Sequence, residues 1–311
     1  MRNTSLRRAL AGALLVTAIA AAAPSGAAAQ RSMAAAALPA PTSCTGCWQP
    51  PPVSRWQYQL QGVAAYASTG GINTTISAPP QGGGAAVSPQ VWDIDLYVDQ
   101  AVSGNNTTLN TAAVNAIHAR GGHVICYVDA GTWENWRVDA NQFPASVLGN
   151  KNGWPGEKWL DIRQVSVLGP IMSARVQKCK QAGFDGVEFD NVDGYQNKTG
   201  FPLTAQDQLN YDTYLANLAH SNGLSVALKN DLGQAATLKP YFDYAINEQC
   251  MQYKECDYPA PGLPDWTASG KAVFEVEYRA SALNCTKSNG WNFNAILKDL
   301  NLYDTPWTPC R

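Results

Sequence analysis

Gly183-Phe-Asp-Gly-Val-Glu-Phe-Asp-Asn-Val-Asp-Gly-Tyr195 reads as a short strand that ends in a cluster of carboxylates. Strand side chains alternate with period two, so Val187 and Phe189 face one way and Glu188 and Asp190 the other. An apolar face backed by an acidic one, at the C-terminal end of a strand, is what a (β/α)8 barrel presents at its open mouth. Val91-Trp-Asp-Ile-Asp-Leu-Tyr97 and Tyr244-Ala-Ile-Asn-Glu-Gln249 repeat the arrangement.

Outward from this segment, eight strand-like runs can be counted: Trp56–Leu60, Val91–Tyr97, His123–Asp129, Phe184–Asp190, Ser225–Asn230, Tyr244–Glu248, Ala272–Tyr278 and Phe293–Lys298. Helical periodicity between them predicts helices over Thr107–Ala119, Ile171–Ala182 and Ala205–Ser221. Each stops at glycine, the usual C-terminal signal. Strands alternating with helices imply a parallel sheet, and eight units imply closure into a barrel. The expected organisation is a signal peptide over 1–29, a flexible Ala/Pro-rich lead-in over 30–54, and one (β/α)8 domain over 55–311.

The signal peptide rests on Arg2, Arg7 and Arg8, the apolar run Leu10–Ala21, and the small residues Ala27-Ala28-Ala29. Its removal changes the formal charge from −2 to −5. That mild acidity, with no basic stripe, argues against a nucleic-acid partner. No later run reaches membrane-spanning length. The expectation is a secreted, monomeric protein.

Eight cysteines in an exported chain point to disulfides. Cys126 has outward parity on the third strand, and Cys179 lies on the helix packed beside it, so these two should pair. Cys250 and Cys256 would close a loop just past Glu248. Cys285 and Cys310 would tie the C-terminal tail, leaving Cys44 with Cys47. The last two resemble half a zinc site, but no second pair follows at zinc spacing. His118, His123 and His220 read as structural.

Period-two parity makes Gln57, Gln59, Asp93, Asp95, Tyr97, Tyr127, Asp129, Glu188, Asp190, Lys229, Glu248, Glu275 and Glu277 the inward set. Ile94, Leu96, Val128, Val187, Phe189, Val226, Leu228, Phe274 and Val276 would face the helices. Two carboxylates across a sugar-sized gap are the minimum apparatus of glycoside hydrolysis, one ionised and one holding a proton. Lys229 would keep a neighbouring acid ionised. The long loop Ala130–Asp161 carries Trp133, Trp136, Trp154 and Trp159, a platform on which apolar sugar faces could stack. A second long loop, 61–90, is Gly/Pro-rich and reads as a flap or a disordered insertion. A competing reading makes Asp93-x-Asp95-x-x-x-Asp99 and Asp190-Asn-Val-Asp193 oxygen ligands of a divalent metal. It is disfavoured because Lys229 and tryptophans surround the acids.

At these residues the chain resembles glycoside hydrolase family 114, the endo-α-1,4-polygalactosaminidases. The matching stretches are Trp56–Gly62, Trp92–Leu96, Ile125–Trp133, Gly153–Arg163, Phe184–Tyr195, Ser225–Asp231 and Asn247–Cys250, in order. The resemblance implies a (β/α)8 barrel with Asp190 and Glu248 as the catalytic pair. By analogy with clans that carry their two carboxylates on strands four and six, Asp190 would be nucleophile and Glu248 acid/base, with retention of configuration; no metal or organic cofactor is expected. The partner would be a cationic or partly acetylated galactosamine polysaccharide. Gln59, Asp95, Tyr97, Asp129, Trp133, Glu188, Tyr195, Lys229 and Glu277 are the candidate substrate contacts, the acids among them suited to a positively charged amino sugar. Asp185-Gly-Val-Glu-Phe-Asp190 is also similar to the strand-four signature of family 18 chitinases. The general acid there stands two residues after the last Asp, where this chain has Val192. The alternatives are a barrel hydrolase acting on another α-linked polysaccharide, or a barrel that binds polysaccharide without cleaving it.

Overall fold

The structure, a computed structural model, describes residues 37–311; the expected signal peptide lies outside the described residues. Eight strands, β1 (Trp56–Gln59), β2 (Val91–Asp95), β3 (His123–Asp129), β4 (Gly186–Asp190), β5 (Ser225–Lys229), β6 (Tyr244–Glu248), β7 (Val273–Glu277) and β8 (Asn294–Leu297), coincide with the eight expected runs. Each is parallel to the next. The fold is a nearly closed (β/α)8 barrel. A short strand, Thr308–Pro309, returns antiparallel onto β8. Between β1 and β8 the join is made by side chains: the Trp56 indole donates to the Asn294 carbonyl (2.7 Å) and the Trp307 indole to the Trp56 carbonyl (2.9 Å).

The main helices follow the sequence pattern. Helix Ala205–Ser221 starts at a capping box between Thr204 and Asp207, which satisfies free N–H groups of the first turn. Helix Val165–Ala182 begins a turn and a half earlier than expected and ends at Gly183, whose φ of 91° only glycine adopts freely. The expected helix over Thr107–Ala119 is shorter, Thr111–His118.

Two apolar clusters divide the molecule. Strand residues Ile94, Val124, Cys126, Val187, Phe189, Val226 and Leu228 pack outward against Val114, Met172, Val176 and Leu215 of the helices. Trp56, Tyr58, Ile125, Tyr244, Ile246, Phe274, Val276 and Ile296 form the second cluster, inside the barrel. This corrects the expected parity of β1 and β7. Phe274 and Val276 point inward, with Phe274 edge-on to Tyr244 at 5.9 Å between centroids. Glu275 and Glu277 point outward: Glu275 accepts from the Ser288 hydroxyl, and Glu277 from the Met251 amide. Gln57 and Gln59 also face away from the lumen and bond the carbonyls of Asp304 and Gly71. Strands of the type apolar–acid–apolar–acid are ambiguous when both faces are buried, because a buried acid with donors beside it is tolerated on either side.

Two expectations of flexibility are also corrected. Within 61–90, Ile72 and Ile76 are buried, and Gln59 bonds both Gly71 and Asn73, so this loop is packed against the barrel. Within the lead-in, Trp48 stacks on His123 at 4.5 Å, Thr42 donates to Asn217, and Gln49 donates to Asp243. Residues 37–54 are therefore strapped to the domain. The cysteines pair as expected: Cys44–Cys47, Cys126–Cys179, Cys250–Cys256 and Cys285–Cys310. His118 and His220 pair with Asp185 and Asp243, and His123 approaches Asp185, as structural histidines would. No helix among the described residues is long and apolar enough to cross a membrane.

Candidate active site

Three neighbouring strands end in Asp190 (β4), Lys229 (β5) and Glu248 (β6), all inward by alternation. The residue after each, Asn191, Asn230 and Gln249, has φ near +60° (60°, 52° and 61°). Such left-handed backbone is strained for a residue with a side chain, least so for Asn. It turns the chain sharply away and leaves the three strand-end groups facing a cavity of about 500 Å³.

Lys229 is the hub. Its ammonium lies 2.6 Å from Glu188, 2.9 Å from Asp190 and 3.6 Å from Glu248, and donates to the Tyr58 hydroxyl at 3.0 Å. Burial opposes its charge, but the charges of Asp190, Glu188 and Glu248 outweigh burial and hold Lys229 protonated well above its ordinary range. Burial likewise pushes Asp190 up; the charge and hydrogen bond of Lys229 and a 2.8 Å bond from Tyr127 reverse this, leaving its carboxyl below the usual value. Glu248 accepts from Asn230 at 3.2 Å and from the Tyr278 hydroxyl. Burial, then the charge of Glu248, pushes Tyr278 well up, so it stays a neutral donor. One layer deeper, burial raises Glu188 despite Lys229, and burial with repulsion from Glu188 raises Asp93 far out of the carboxylate range.

The cavity wall opposite β6 comes from the loop after β3. It forms a small antiparallel sheet, Thr132–Glu134, Leu148–Lys151 and Glu157–Leu160, that brings Glu134, Trp136, Arg137, Trp154, Glu157 and Trp159 to the cavity. Trp136 and Trp154 are exposed and Trp159 is buried at its rim.

Of the residues expected from sequence, the cavity gathers Asp190, Glu248, Lys229 and Tyr127 with Trp136, Trp154 and Trp159 of the platform, and Glu188 lies directly beneath. The others lie elsewhere. Asp95 is gripped by Arg137 through two 2.7 Å bonds. Tyr97 accepts from Lys178 and belongs to the outer cluster. Asp129 is buried behind the wall, held by Thr132 and Asn191. Trp133 turns inward to bond the Ala140 carbonyl and is not part of the platform. Tyr195 bonds Gln196 outside the cavity, and Gln59 and Glu277 face away from the lumen. Asp93, Asp95 and Asp99 do not converge as metal ligands: Asp95 is neutralised by Arg137, and Asp99 caps the turn Gln100–Ser103. Sequence reasoning missed Tyr58, Tyr278 and Glu157 and offered Asp193 only as a metal ligand; all four line the cavity. Tyr58 and Tyr278 could have been found from the parity of Trp56 and Phe274, had those strands been set the right way round.

A model of glycoside-hydrolase family GH114 matches residues 37–311. Among solved structures, Ega3 from Aspergillus fumigatus, in complex with galactosamine, is 32% identical, with a TM-score of 0.69 over 85% of this chain and 97% of that one. The glycoside hydrolase domain of PelA from Pseudomonas aeruginosa shares the fold at 13% identity, with a TM-score of 0.56 over 83% of this chain and 98% of that domain. No curated protein matches the chain.

Proposed function

Because the chain belongs to glycoside-hydrolase family GH114, we propose that this hydrolase cleaves α-1,4-linked galactosamine polymers internally and with retention of configuration, Asp190 acting as nucleophile and Glu248 as acid/base. The observation that carries the reading is one ammonium shared by two carboxylates at a cavity mouth. Lys229 lies 2.9 Å from Asp190 and 3.6 Å from Glu248, which bounds the separation of those two oxygens at about 6.5 Å. Retaining enzymes hold their carboxyls roughly 5–5.5 Å apart, and inverting ones roughly 6.5–9.5 Å, so the bound favours the retaining geometry.

Asp190, kept ionised by Lys229 and Tyr127, attacks the anomeric carbon. Glu248 gives a proton to the departing glycosidic oxygen. In the second step it takes a proton from the water that releases the sugar from Asp190. Tyr278 orients the Glu248 carboxyl by bonding its other oxygen. The galactosamine bound to the 32% identical Ega3 supports the substrate class. Four disulfides, which persist in oxidising compartments, support an extracellular site of action, as does the N-terminal pattern expected to be a signal peptide.

Mass spectrometry of the products from deacetylated and acetylated galactosamine polymers tests the substrate and the cleavage mode, and NMR of the first-formed anomer tests retention. A ladder of oligomers with α-configured new ends is expected. Release of monosaccharide alone, or β ends, would overturn the corresponding part.

A further inference from the structure

We infer that Glu157 is the residue that reads the free amine of the substrate, accepting a sugar ammonium while Trp159 supports the ring; this rests on the galactosamine reading above. The strand Glu157–Leu160 alternates, so Glu157 and Trp159 share the face toward the cavity, and Lys158 points the other way, over Trp133 at 5.7 Å. The acids on the cavity wall differ in what already neutralises them. Asp190 and Glu248 share Lys229. Glu134 is held by Arg137 at 2.6 Å. Asp193, near Asp190, still feels the Lys229 charge.

Among the described residues, Glu157 accepts from neutral donors only, Thr132 at 3.2 Å and Asn152, and its charged neighbours Glu134 and Asp190 are both negative. Burial first, then these neighbours, push its carboxyl up to about 7 although the Asn152 bond opposes them. A half-buried carboxylate without a cation, on the wall of a sugar-sized cavity, is completed by a cation that arrives with the ligand. A primary ammonium on a pyranose is such a cation, and an N-acetyl group is not. A divalent metal fits less well. It would draw on Asp129, which with Glu134 and Glu157 places oxygens within 4.8 Å of one another. Both Asp129 oxygens already accept from Thr132, and one also from Asn191.

The experiment compares wild type with Glu157→Gln on fully deacetylated and fully N-acetylated oligomers, with calorimetric binding of galactosamine and N-acetylgalactosamine as a readout independent of turnover. Gln keeps the shape and still accepts from Asn152 and Thr132, and an unchanged thermal midpoint confirms the fold. Loss of at least about tenfold in kcat/KM and in affinity is expected on the deacetylated ligands, the scale of one charge-assisted hydrogen bond, with less than about twofold change on the acetylated ones. Equal losses on both would overturn the assignment of Glu157 and leave the substrate class standing. Wild-type protein that neither bound nor cleaved any galactosamine ligand would overturn the substrate class and this assignment with it.

Discussion

Lys229→Met removes the one positive charge buried among three carboxylates while nearly preserving volume. In the native protein the ammonium is only 1% exposed and touches Glu188 and Asp190 at 2.6 and 2.9 Å. Breaking a buried pair by deleting one partner costs roughly 3–5 kcal/mol, because the other charge stays buried. At roughly 2–4 °C per kcal/mol for a domain of this size, the midpoint should fall by roughly 6–20 °C at pH 7. Asp190 has a folded-state pKa below its unfolded value, so its contribution to stability is present above the ordinary carboxylate range and is lost as pH falls through the lowered value. In the variant, burial acts on Asp190 without Lys229 to oppose it, and the sign reverses. The penalty is then full at neutral pH and fades as pH falls and the carboxyls take up protons. The midpoint difference should therefore shrink between pH 7 and pH 4.5. The acid limb of kcat/KM, which reports ionisation of the nucleophile, should move up by roughly 1–3 pH units. Calorimetric midpoints at the two pH values and a pH–rate profile on deacetylated polymer measure both effects. An acid limb that does not move, with the same midpoint loss at both pH values, would show that Lys229 is a packing residue and does not set the charge of Asp190.

Asp190→Asn and Glu248→Gln should each fold, still bind polymer and lose more than about 10²-fold in kcat; two variants that each kept a tenth of the activity would end the two-carboxylate mechanism. Tyr278→Phe should lower kcat by roughly 3–10-fold with KM little changed, because it removes the hydrogen bond that orients the Glu248 carboxyl. A KM effect alone would make Tyr278 a substrate contact and not a positioning residue. Glu277→Gln should leave the ratio of activity on deacetylated and acetylated polymer unchanged and lower stability by about 1 kcal/mol, since its carboxylate serves the amides of Met251 and Gln252 outside the barrel. A shifted ratio would place it back in the cleft.

The eight strands were legible because β-branched, aliphatic or aromatic residues fill them, most with a flanking glycine or a strand-end acid, as in Gly186–Asp190. Asp190, Lys229 and Glu248 were legible for a related reason: their neighbours Phe189, Leu228 and Asn247 leave one clear inward parity. β7 defeated the same logic. Val273–Glu277 offers two acids on one face and Phe274 and Val276 on the other, both fully buried, and only the tertiary partners Ser288 and Met251 decide which side the acids take. Asp95 was expected at the substrate and Glu157 was not singled out, for a similar cause. Arg137, 42 residues from Asp95 along the chain, neutralises it, whereas Glu157 meets no cation among the described residues. Pairings between distant residues carry no periodic signature.

The seam between β1 and β8 has a consequence for how the ring is put together. Elsewhere around the barrel the backbone ladder joins strands whatever their side chains. Here two indoles and an asparagine make the joint, linking residues 238 to 251 positions apart. A ladder can slip by a residue pair and still bond, but an indole N–H finds its carbonyl in one alignment only. The seam thus works as a latch with a single setting: it fixes the stagger at which the first and last strands of the barrel meet. Through that stagger it sets the height at which Tyr58, on the first strand, reaches Glu188 and Lys229 across the lumen.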